Sequence, residues 1–206
     1  MSKEWDLLHT STMPTIALRG LTIFPNVMIH FEVAREASIQ ALEEAMNIGC
    51  PIFLVGQKDI EVEHPEAKDL YTIGTISSIR QILKMPGDNV RVMVEGQARG
   101  RMVQILRTKP YLEAEVQEIP EPEAHRNTAK TEALMRSTYE LFQHYVELTP
   151  KMSQDILIHV LANQDPGYIA DYIAQNIPMR NSEKQVILEE LKPVRRLERL
   201  HKMLER

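Results

Sequence analysis

Histidine, cysteine, serine and lysine are the side chains through which this chain could do covalent, acid–base or metal chemistry, and their spacing argues against each. The seven histidines are His9, His30, His64, His125, His144, His159 and His201. None has a second histidine four residues on, the spacing that sets two imidazoles on one helix face around zinc. They read as ordinary surface or core histidines, and no metal site is expected. The lone cysteine, Cys50, closes no internal disulfide, which excludes a stapled secreted scaffold. It sits between a helix end and a strand without a companion motif, so it reads as a buried, inert thiol. None of the eight glycines is followed by lysine, so the loop that cradles nucleotide phosphates is missing. No serine occupies a G-x-S-x-G elbow. The expectation is therefore no catalytic, cofactor-binding or metal residue in these 206 residues.

Two weaker signals point to contact rather than chemistry. Arg35 and Glu36 open the first helical pattern, and Arg35 puts a cation at the positive end of the helix dipole, a local rule broken at an element end. A solvated arginine explains the position as well. Met85 stands in the turn 84–87, where a soft apolar side chain suits low-specificity peptide contact. An isolated exposed methionine is the plainer alternative.

The elements that position these residues fall into two regimes. Residues 13–118 are strand-like. Thr15-Ile-Ala-Leu-Arg19, Val27-Met-Ile-His-Phe-Glu-Val33 and Pro51-Ile-Phe-Leu-Val-Gly56 are apolar, and Asn89-Val-Arg-Val-Met-Val-Glu95 alternates cleanly. The segments 101–106 and 111–116 read as two further strands, with Gly96-Gln-Ala-Arg-Gly100 as a bend or bulge between strands. Residues 59–69 read as an acidic loop. Only 35–48 carries helical spacing, through Ile39, Leu42, Ala45 and Met46, with Gly49 as its C-cap. The pattern predicts a closed or strongly bent sheet with one packed helix. Residues 128–206 read as helices, with Asp165-Pro166 as an N-cap and first helical position, a capping box at 182–185, and Pro193 opening a last helix. The fold class is thus α+β, a sheet domain over 1–120 followed by an all-α helical bundle over 121–206, with a proline-bearing seam at 119–127 between them.

Composition narrows the partners. A formal net charge of -5 and the lack of a basic aromatic stripe argue against nucleic acid. No apolar run approaches the roughly 20 residues of a membrane span, and the N-terminus lacks a signal-peptide pattern, so a cytoplasmic setting is expected. In the last helix Val194, Leu197, Leu200 and Leu204 form a stripe that runs to Arg206 without a stop signal. It reads as the front part of a longer chain, or as a natural terminal helix that frays. If exposed, the stripe would drive self-association, dimerisation included.

These residues carry a family resemblance. Met13-Pro-Thr-Ile-Ala-Leu-Arg-Gly-Leu-Thr-Ile-Phe-Pro-Asn-Val-Met28 resembles the opening strand-turn-strand of Lon proteases. Val33-Ala-Arg-Glu-Ala-Ser-Ile-Gln-Ala-Leu42 resembles the family's V-G-R-E-x-S-I-x-A-L segment, with Ala34 in place of its glycine. The segments 94–99, 183–191 and 196–200 resemble its V-E-G-x-x-R, E-K-Q-x-L-L-E and R-L-x-x-L patterns. The resemblance implies a PUA-like twisted β-sheet or barrel and then a helical bundle. It implies a parent that is a hexameric, ATP- and Mg-dependent serine protease, whose ATPase and Ser–Lys peptidase modules are not in this sequence. No catalytic residue carries over. The implied role is recognition of unfolded or misfolded polypeptides and subunit assembly. The alternative is a freestanding binding module with a protein or small-molecule ligand.

Overall fold

A computed structural model describes residues 9–122, 128–150 and 152–205. Most of the seam, the N-terminal residues read for a signal peptide and the final Arg206 lie outside the described residues. Those described fall into two compact units, one up to Pro120 and one from Glu121. The fold is α+β, with a mixed six-stranded sheet and six α-helices among the described residues.

In the first unit the strands are β1 (Thr10–Leu18), β2 (Met28–Val33), β3 (Ile52–Gly56), β4 (Ile73–Lys84), β5 (Val90–Arg107) and β6 (Leu112–Ile119). Their order is β2-β5-β4-β3-β1-β6, and β6 returns to pair with β5, so five strands form a closed circuit with β2 attached outside it. Alternation along the strands feeds two cores. Ile16, Leu18, Ile52, Leu54, Val90, Val92 and Val94 pack with the helix α1 (Glu36–Ile48), while Ala17, Phe53, Val55, Ile76, Ala114 and Val116 form the other cluster.

Three sequence expectations are corrected here. The two strands read on either side of 96–100 are one continuous strand, β5, and of the bend or bulge expected there it is the bulge that is found, with Gln97 as its extra residue: Ile76 pairs Ala98 and Ser77 pairs Gly96. A Cβ on Gly100 would lie 2.7 Å from Val116 Cγ1, so glycine there serves close packing, not a break. On α1 the buried face is Ser38, Ala41, Leu42 and Ala45, and Met46 faces out. Within the acidic loop Ala67–Asp69 forms a 3-10 turn. Gly49 caps α1 at φ 73°, donating to the Ala45 carbonyl, as its placement predicts.

The second unit holds α2 (Ala129–Leu148), α3 (Asp155–Leu161), α4 (Pro166–Asn176), α5 (Asn181–Glu189) and α6 (Pro193–Leu204). Asp165 caps α4 through its carboxylate, which accepts from the N–H groups of Gly167 and Tyr168 at 2.8 and 3.3 Å. The capping box sits earlier than the sequence places it: Arg180 is the N-cap, and Glu183 accepts from its N–H at 3.2 Å. α6 packs on α4 and α2. Leu197 and Leu200 are consequently fully buried, and only Val194 and Leu204 keep partial exposure. The exposed stripe expected for self-association is not there, because neighbouring helices already cover it.

Candidate functional site

Two surfaces of the first unit are candidates for contact: one leaves apolar side chains exposed and the other encloses a cleft. The first is the outward face of a three-stranded ribbon made by β2 and the facing halves of β5 and β4. Residues paired across strands share a face, and β2 pairs Met28 with Glu95, His30 with Met93 and Glu32 with Arg91. β4 adds Gln81 opposite Met93 and Leu83 opposite Arg91. The inward set, Ile29, Phe31 and Val33 with Val92 and Val94, belongs to the core. The outward set leaves Met28 56% and Leu83 46% exposed. Met93 and His30 line a shallow depression of about 170 Å³ between them. Charge pairs flank this apolar strip: Arg91 with Glu32 at 2.8 Å, and Arg80 with Glu95. Such exposed pairs add little stability. Met85 stands at the ribbon's tip, half-buried, its N–H donating to the Asn89 carbonyl at 2.8 Å.

The second surface is a cleft of about 1000 Å³. Thr15 and Ala17 of β1, Leu112 of β6 and Pro110 line its inner part, and Arg19, Arg35, Glu36, Glu63, His64 and Lys109 supply its charges. Arg35 and Glu36 thus meet in one site, whereas Met85 does not line it. Arg35 is the N-cap of α1 and is held in place. Its guanidinium donates to Gln57 Oε1 at 3.0 Å and to the Val62 carbonyl at 3.1 Å, and Arg19 donates to that same carbonyl at 3.2 Å. Buried Gln57 closes the knot by donating to Val62 at 2.6 Å. Burial, and then the neighbouring Arg19, push the Arg35 guanidinium below its ordinary value, with Glu63 acting against them. Glu36 turns along the helix to accept from Gln40 at 3.2 Å, and Glu66 is paired with Lys68 at 3.2 Å.

Elsewhere the described residues offer less. No group of histidine, cysteine, aspartate and glutamate among them could hold a metal ion. No helix among them is long and apolar enough to cross a membrane. Cys50 is half-buried, and burial raises its thiol pKa, which keeps it protonated and unreactive. Val194, Leu197, Leu200 and Leu204 lie in the other unit and contribute to neither surface.

Residues 12–206 match the family model described as the ATP-dependent protease La (LON) substrate-binding domain. The chain belongs to the Lon substrate-binding domain family. The Lon protease of Heliobacterium modesticaldum is 39% identical over 207 residues, covering 100% of this chain and 25% of that protein. Lon protease 1 of Bacillus subtilis is 35% identical over 178 residues, covering 86% of this chain and 23% of that protein. The chain thus spans about a quarter of the length of the curated relatives it matches. The N-terminal domain of Mycobacterium avium complex Lon protease superposes with a TM-score of 0.74 at 20% identity, over 95% of this chain and 98% of that one. The Lon N-terminal domain protein of Xanthomonas campestris gives 0.64 at 14% identity, over 92% and 96%. At those identities the two structures establish the fold.

The sequence pattern of this Lon-family domain gave Arg35, Glu36 and Met85 as contact candidates. It did not single out Met28, Met93 and Leu83, since alternation marks which residues share a face but not which face stays bare. Nor did it single out Arg19 and Lys109, which reach the cleft from segments far apart in the chain, or Gln57, which holds Arg35 from beneath.

Proposed function

We propose that this chain recognises unfolded or misfolded polypeptides for an ATP-dependent Lon-type protease, and that the outward face of the ribbon is where it meets them. The observation that carries this is the strip of Met28, Met93 and Leu83, apolar and solvent-facing between two charge pairs. Methionine is unbranched and polarisable, so it moulds to many apolar side chains without selecting one. Unfolded chains expose many such side chains in runs, whereas folded ones leave them exposed mostly singly. Each contact is weak, and several copies in one assembly would add avidity through effective concentration. In this reading the chain itself performs no cleavage. ATP, Mg²⁺ and the peptidase chemistry belong to the parent protease, which works as a cytoplasmic oligomer.

The test is binding of a reduced, carboxymethylated and permanently unfolded protein, followed by fluorescence anisotropy. Replacing Met28 and Leu83 together by glutamate is expected to weaken binding at least about tenfold, from the lost apolar burial. Both side chains are outside the core, so the circular dichroism spectrum is expected to stay unchanged. Undiminished binding by the folded double variant would refute the reading.

A further inference from the structure

In the cleft the backbone ladder between β1 and β6 is interrupted. β1 pairs antiparallel with β6 from Thr10 opposite Gln117 to Thr15 opposite Leu112. Continued two residues further, that register would set Ala17 opposite Pro110. Proline has no N–H to offer, and β6 begins only at Leu112. On its other side β1 pairs parallel with β3, and the Leu18 carbonyl accepts from the Gln57 N–H at 2.9 Å. Successive residues of a strand direct their backbone groups to opposite sides. Leu18 therefore serves β3, and the Ala17 N–H and C=O point to the side on which β6 begins only at Leu112; Ala17 lines the cleft there and is 6% exposed. An unpaired strand edge of this kind is a template for an added strand.

Charge surrounds that edge unevenly. Arg19 follows Ala17 by two residues, and its guanidinium converges with that of Arg35 on the Val62 carbonyl. Glu66 pairs with Lys68, whereas Glu36 accepts from the neutral Gln40 and keeps its negative charge in the cleft lining, as does Glu63. Burial lowers the Arg35 guanidinium pKa first and Arg19 lowers it further, while Glu63 raises it; the two guanidiniums that meet at the Val62 carbonyl are the cationic corner of the cleft. A carboxylate is the group that fits, because guanidinium forks bind it in a planar, two-point fashion.

We infer that the cleft takes an extended polypeptide segment as an added strand at Ala17, with an acidic side chain of that segment seated on Arg19 and Arg35. The inference rests on the reading of this chain as a polypeptide-binding region, and it adds a second contact of different chemistry. The ribbon reads apolarity, and the cleft reads an extended backbone plus one negative charge. Together they favour segments in which an apolar run is flanked by an acidic residue.

The probe is the peptide acetyl-Ser-Thr-Val-Glu-Val-Thr-Ser-amide, titrated into the chain and followed by amide NMR. The Ala17 amide is expected to shift and to exchange more slowly with deuterium. A peptide with glutamine for glutamate is expected to bind about tenfold more weakly, and so is one N-methylated at the valines, since each loses a hydrogen bond that nothing replaces. Arg19→Gln is expected to weaken binding by a similar factor and to abolish the preference for glutamate over glutamine. Arg35→Gln removes the links to Gln57 and Val62 as well, so Arg19→Gln is the decisive variant. If the peptide shifts the Met28 and Met93 signals but leaves Ala17 unmoved, or if methylation and charge make no difference, the cleft inference falls while the ribbon reading stands. If neither the peptide nor the unfolded protein binds at all, both fall.

Discussion

Arg196 is fully enclosed in the second unit, although its side chain ends in a guanidinium. Its Nη1 donates to Asp171 Oδ2 at 3.0 Å and to Glu121 Oε1 at 2.9 Å, its Nε donates to the Glu190 carbonyl at 2.8 Å, and Nη2 has no hydrogen-bond partner among the described residues. Glycine at 167 leaves room for this, since a Cβ there would lie 3.1 Å from Nη1. A buried guanidinium is costly to desolvate, and the pair holds only while both members are present. Arg196→Ala is therefore expected to lower stability by about 3–5 kcal/mol, because it leaves the Asp171 carboxylate buried without its cation. The double change Arg196→Met with Asp171→Leu is expected to recover a large part of that loss. Urea denaturation of Arg196→Met, of Asp171→Leu and of the two combined measures the coupling, and additive losses would mean the pair does not act as a unit. Nothing in the sequence marks this residue. The stripe of Val194, Leu197, Leu200 and Leu204 is visible by spacing, but the buried face is Pro193, Arg196, Leu197 and Leu200. The acids that make an arginine tolerable there are 25 and 75 positions away. The same distance in sequence hides Arg19 in the cleft and Gln57, which holds Arg35, whereas Arg35 is legible because it breaks a helix rule within its own element.

At the scale of elements, alternation and caps are local properties, and they were read correctly where only local physics decides. Val90, Val92 and Val94 are buried together, and Gly49 and Asp165 cap the helices they precede or follow. Glycine inside β5 is a different case. A glycine suggests a bend when the chain is read alone, but here it permits another backbone to come close. A Cβ on Gly96 would land on the Phe24 carbonyl, with Pro25 Cα at 3.2 Å. Around it the Asn26 N–H donates to the Gly96 carbonyl at 2.9 Å, and the Gly96 N–H donates to the Val27 carbonyl at 2.9 Å. The contact is backbone on backbone, so no rotamer change relieves it. Gly96→Ala is expected to destabilise by about 3 kcal/mol, at the upper end for overpacking. Gly49→Ala meets nothing within 4 Å and bears only the strain of its left-handed φ of 73°, about 1 kcal/mol. Thermal denaturation of the two variants gives the ranking, and equal losses would show that the 24–27 segment yields. Met46 is the converse lesson. It sits at helical spacing from Ile39 and Leu42, but the surface that α1 covers is wide enough only for Ser38, Ala41, Leu42 and Ala45, a matter of which face the sheet presents.

At the scale of the molecule, each unit holds its own core, and the last two helices are part of one. α5 contributes Ile187 and Leu188, and α6 contributes Leu197 and Leu200, all buried, to the unit that also encloses Phe142 and Ile173. Reading the stripe of α6 as exposed leads to the expectation that a chain ended near Asn181 associates less. Burial reverses the sign. Ending the chain at Asn181 removes the apolar cover of α2 and α4, and it leaves Asp171 buried without Arg196. Burial of each aliphatic side chain is worth roughly 1.5–3 kcal/mol, so losing four of them is a large fraction of the stability of a small unit. The shortened chain is expected to expose the remaining apolar faces and to associate more strongly, measured as a rise in mass by light scattering with concentration. The sheet unit keeps its own two cores, so the amide signals of β3, β4 and β5 are expected to persist in the same sample. A shortened chain that remains monomeric, with its helical signals intact, would mean that α6 is an appendage to the second unit instead of a wall of its core.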